Sequence, residues 1–156
     1  MAGRLATAWG IGGVLLLLAE ALYRLVPRAL EALAMDLSAA HWIALCPWLV
    51  FMGYAEGWRG FHLKFSPMVV ERAFGLREAP TGVRGLLAPA YAMSLFDAPR
   101  RAMIVSWCLV VGVAALVIAV HFVPQPWRGI IDAGVVVGLT VGSVSIAVHT
   151  TRALRG

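Results

Sequence analysis

The sequence predicts an all-α membrane protein with four transmembrane helices and both termini on the cytoplasmic side. Three observations carry this. Of 156 residues, 61% are hydrophobic and 13% charged; four apolar runs recur along the chain; and the basic residues collect on one side of those runs. Soluble domains carry about 25% charged residues, so the composition argues against a water-soluble fold. The length suits one helical bundle without an added soluble domain, and residues 1–156 are read as a single four-span domain.

The first run covers residues 5–26, and its core from Ile11 to Ala19 holds no charge. About 20 such residues suffice to cross a bilayer. Ala19-Glu20-Ala21 has the small-x-small shape of a leader cleavage site, but the run is read as a retained span. The second run, residues 41–58, is interrupted by Pro47 and closed by Tyr54-Ala55-Glu56; the third, residues 102–123, is uncharged throughout. A short proline-bearing link joins it to the fourth run, residues 129–149, so the last two spans should form an antiparallel hairpin.

Between the second and third spans, residues 59–101 are too many for a simple connector. Ser66-Pro67 reads as the start of a short helix on the inner leaflet, with Val69, Val70, Ala73, Phe74 and Leu76 on its apolar side. Residues 85–96 are apolar but too short to span, so they are expected at the interface, with a re-entrant loop as the alternative.

Lysine and arginine fix the expected orientation. Arg4, Arg59, Lys64, Arg72, Arg77, Arg84, Arg100, Arg101, Arg152 and Arg155 fall on one side, Arg28 and Arg128 on the other, and Arg24 within the first span. Short basic loops stay cytoplasmic, which places both termini inside. Topology then accounts for the net charge of +5 without nucleic acid. A chain rich in alanine, glycine and arginine with one lysine looks like the codon bias of a GC-rich bacterial genome, so the expected location is a bacterial inner membrane. Trp9 and Trp58 are expected near inner ends, Trp42 and Trp127 near outer ends.

Several residue sets are candidates for chemistry. Glu20 and Arg24 lie four apart and share a helix face; they read as an intramembrane ion pair, or as an ion site facing the bundle interior. Tyr54, Glu56, Arg59 and His62 form a polar cluster if the second helix continues past Trp58. Gly134, Gly138 and Gly142 make a tandem small-xxx-small stripe, which promotes close packing in membranes either on the chain's own spans or on another subunit. Lys64, Arg72, Arg77 and Arg84 are candidates for contact with anionic headgroups.

Histidines pair by side, His41 with His121 and His62 with His149, but no further ligands stand at useful spacing, so no metal or other cofactor is expected. Cys46 and Cys108 are expected at different depths and are read as small hydrophobes. Phosphate loops, H-E-x-x-H, G-x-S-x-G and C-x-x-C are all absent from the sequence.

Packing signals without a catalytic set suggest a small non-enzymatic accessory or assembly subunit. Its expected partners are the bilayer, anionic headgroups, and a membrane protein or second copy of the chain. A transporter or channel protomer using Glu20 and Arg24 is the alternative. A lipid-modifying enzyme with Glu56 or His62 as base is a third reading.

Overall fold

A computed structural model describes residues 1–78 and 82–155, and these are helical with no strand among them. Helix α1 (Ala2–Leu33) is rich in leucine, alanine and glycine and extends about 48 Å at 1.5 Å per residue. It runs through Pro27 and beyond the end expected near residue 26. Proline removes one backbone donor there, but the turn that follows packs on another helix, with Arg28 O and Ala32 lying against Gly129.

The second apolar run departs most from expectation. Helix α2 (Ala39–Met52) starts at Ser38, whose N–H donates to His41 Nδ1 at 3.1 Å. It does not stop at Trp58. A π-helical segment, Gly53–Phe65, continues directly into α3 (Ser66–Gly75), so residues 39–75 form one unbroken helix. Ser66 therefore sits inside a helix with its hydroxyl buried, where the sequence suggested a cap. Residues 59–75 therefore belong to the bundle and are not part of a connecting loop. Val69, Val70, Ala73 and Leu76 do face inward, against protein.

After residue 75 come two short helices, α4 (Gly82–Leu86) and α5 (Ala88–Ala92), then α6 (Arg100–His121) and α7 (Trp127–Arg155). Among the described residues, three helices are long and apolar enough to cross a membrane: α1, α6 and α7. The α-helical part of the second run has only 14 residues.

Contacts at both ends define the arrangement of the bundle. Gly3 abuts the Arg77 backbone and Thr7 Oγ1 donates to Ala73 O at 2.9 Å, while Ala29 and Leu45 share a cluster at the opposite end. The 39–75 helix thus runs antiparallel to α1 and meets it directly through α3, while its α2 and π-helical parts pack on α7. Helix α7 lies beside both, with Gly129 at Ala32 and Ile146 packed among Ile11, Val14, Val69 and Val70. Both termini share one end.

Residues 85–96 fold back along α1, with Ala88 against Gly10 and Pro89 against Gly13. Trp9 Nε1 donates to Leu86 O at 3.0 Å and Arg72 bonds the Tyr91, Phe96 and Asp97 carbonyls, which pins the segment. Helix α6 stands apart. Trp107 Nε1 donates to Leu95 O at 2.9 Å and Val120 is buried beside α7, but of the intervening apolar residues all except half-buried Val110 are exposed.

Candidate functional site

The interface between α7 and the 39–75 helix carries the most polar chemistry, and its register depends on the π segment. A π-helix bonds i to i+5, so residues five apart take the same face. Gly53, Gly57 and Gly60 disfavour the α form and allow close approach. A Cβ on Gly57 would stand 3.0 Å from Val141 Cβ, and one on Gly53 3.4 Å from Val137 Cγ1.

Along this seam the expected glycine stripe is filled by the chain itself. Gly134 receives Trp48 and Met52, Gly138 receives Glu56, and Gly142 receives Phe61. Steps of four on α7 are met by a step of four from Trp48 to Met52, but by a step of five from Glu56 to Phe61. Gly57 and His62 repeat the pattern opposite Val141 and Ser145.

The polar cluster expected from the sequence consequently divides. Glu56 and His62 turn toward α7, whereas Tyr54 and Arg59 are exposed on the far side of the helix. Glu56 Oε2 would lie 2.8 Å from a Cβ on Gly138, so its carboxyl rests in the notch that glycine leaves. Because the helix continues to Gly75, Glu56 sits near the middle of α7 and not at an end of the bundle. His62 Nδ1 lies 2.7 Å from Ser145 Oγ, its ring stacks on Trp58 at 4.5 Å, and the His149 ring is 5.1 Å away. Ser145 is 3% exposed, and His149 Nε2 is buried without a hydrogen bond among the described residues. His62, Ser145 and His149 make a small polar knot near the terminal end of the seam.

Comparison with protein-family models, curated proteins and solved structures finds no match for this chain.

The remaining candidates take separate places. Glu20 and Arg24 pair with each other on the outer surface of α1, both more than half exposed. Glu20 also edges an open groove of about 510 Å³ lined by Trp9, Gly13, Leu16, Leu17 and Pro89. His41 caps α2 and tilts against Trp127 at 4.8 Å, while His121 lies 3.4 Å from an Arg128 nitrogen, so these two do not face each other. Among the described residues, no three His, Cys, Asp or Glu side chains converge as a metal site would need. Cys46 and Cys108 are both free and exposed.

The four loop cations differ in availability. Arg72 is spent on three carbonyls and lies 4.1 Å over the Tyr91 ring; Arg84 pairs with Asp97; Arg77 is exposed over Phe74; Lys64 is exposed. One buried acid lies outside these candidate sets. Asp132 is 4% exposed, near Arg28 and Arg128, and its Oδ2 has no hydrogen bond among the described residues. The signal for it was position: Asp132 is three residues from Gly129 on the helix face that meets α1.

Proposed function

We propose that the protein is a multi-pass subunit of a bacterial inner membrane that assists or assembles with another membrane protein, and that α6 is its docking helix. The carrying observation is the contrast between α6 and the rest. Helices α1 and α7 and the 39–75 helix bury a shared core, while α6, 22 residues and about 33 Å long, buries only Val120. Membrane helices associate through side-chain packing, so an unpacked span with Gly112 in open space suits a partner transmembrane helix. The Gly134–Gly142 stripe is occupied within the chain, and docking is therefore reassigned from α7 to α6.

In this reading the 39–75 helix makes the fourth crossing. The shared end of both termini, with Arg4, Arg100, Arg101, Arg152 and Arg155, faces the cytoplasm. The test is photo-crosslinking in native membranes from a reactive side chain placed at Leu109, Gly112 or Leu116. A discrete protein adduct from these sites, absent when the probe is at Gly12 on α1, is the expected result. Adducts to lipid alone would overturn the assignment, and an adduct of twice the chain's mass would replace a foreign partner with a second copy.

A transport role is favoured by one observation, the open groove edged by Glu20. It is the second reading because the Glu20–Arg24 pair lies on the bundle's exterior.

A further inference from the structure

Two of the basic residues on the 39–75 helix are free. Arg59 and Lys64 are exposed, and neither has an ion pair or hydrogen bond among the described residues. In an α-helix, positions five apart point in different directions; the π segment brings them to one side. Together with Ala55 and Gly60, also five apart, they line an open pocket of about 190 Å³ on the face turned away from α7. Gly60 keeps the floor low, and the cations flank it.

Tyr54 lies five residues before Arg59 on this side, and Trp58, one residue before Arg59, is exposed with its ring stacked on His62 at 4.5 Å. Their rings have the amphipathic character found at the headgroup level of membranes. The acids nearby do not reach the pocket. Glu56 is turned to Gly138, and Glu71 lies beyond Ser66 on the next stretch of helix. His62 opposite Ser145 fixes Lys64 near the last third of α7, toward the end with both termini. Arg59 starts about one helical turn deeper, and its long side chain can lie along the helix to bring its charge to the same level.

We propose that Arg59 and Lys64 form a binding site for the phosphate of an anionic phospholipid headgroup, seated over Gly60. The inference rests on reading the helix as membrane-embedded, and it is independent of what α6 binds. Arginine offers a planar fork to phosphate and lysine a point charge, so the pair grips a phosphate from two sides. The acyl chains of such a lipid would run along the exposed Phe51 and Val50 side of α2, toward the bilayer centre.

The site is tested with the full chain in nanodiscs of phosphatidylcholine doped with phosphatidylglycerol, followed by native mass spectrometry of retained lipid. Each cation near the headgroups is worth about fivefold in affinity, and the pair about 30-fold. Wild type should retain phosphatidylglycerol over phosphatidylcholine by about that factor. Arg59→Gln and Lys64→Gln should each lose about fivefold, while Arg77→Gln, at an exposed cation outside the pocket, should lose none. Both variants leave the packed face untouched, and an unchanged elution volume checks the fold. An equal loss in Arg77→Gln, or a preference that survives Arg59→Gln with Lys64→Gln, would overturn the site. Displacement of the lipid by millimolar inorganic phosphate would assign the pocket to a soluble anion and overturn the lipid reading. Loss of α6 crosslinks with lipid retention intact would sink the docking role alone.

Discussion

Gly142→Ala isolates the packing of α7 on the π segment. A Cβ there would stand 2.5 Å from Phe61 Cδ1 and 2.6 Å from Cγ. Carbon atoms rest at about 3.5–4.0 Å, so the ring must retreat by about 1 Å. Phe61 has little freedom to do so, because it already meets Phe65 edge-on at 5.3 Å. Overpacking of this kind costs about 1–3 kcal/mol. Alanine in place of a helical glycine returns up to about 1 kcal/mol through backbone entropy. The clash prevails, and the net loss should be about 0.5–2 kcal/mol.

Gly112→Ala is the matched control, since nothing lies within 4 Å of its Cβ position. Only the backbone term remains, and this variant should gain up to about 1 kcal/mol. Reversible unfolding in mixed detergent micelles measures both. If Gly142→Ala proved as stable as Gly112→Ala, the stripe would not be filled by the chain's own helix, and its reassignment from docking to internal packing would be wrong.

Two further outcomes follow from the same geometry. Arg72→Ala removes bonds to Tyr91 O at 2.8 Å and Asp97 O at 3.0 Å, beside two non-glycine residues of positive φ, Ser94 and Asp97. It should cost about 2 kcal/mol and speed amide exchange across residues 91–99; unchanged exchange there would show the clamp to be idle. Glu20→Gln breaks an exposed i,i+4 pair and should shift stability by no more than about 0.5 kcal/mol. In proteoliposomes it should leave ion flux at the background of empty vesicles, as wild type does, and a wild-type flux abolished by Glu20→Gln would instead favour transport.

Composition and the apolar runs were enough to read an all-helical chain with helices long and apolar enough to cross a membrane; the short proline-bearing link joins α6 to α7, but α6 meets α7 only near Val120 and does not pack along it as the expected hairpin would. Two other readings met the tertiary structure differently. The cluster of Tyr54, Glu56, Arg59 and His62 was expected if the helix continued past Trp58; the helix does continue, but as a π segment whose packing on α7 takes Glu56 and His62 and leaves Tyr54 and Arg59 on the other side. Nothing local announced this except glycines at 53, 57 and 60. The helix end expected after Trp58 was drawn from polarity, yet Val69, Val70 and Ala73 find their apolar surroundings in α1 and α7, so the helix continues.

Hydrophobicity is a property of each residue and does not depend on the fold. For that reason the sequence alone determined that this chain is helical with helices long and apolar enough to cross a membrane, and which residues are small, basic or acidic. Whether a glycine stripe meets its own chain or another, and whether a cation is spent or free, depends on which surfaces meet. Arg72 and Lys64 look equivalent in sequence; only the fold hands one of them three carbonyls and leaves the other open.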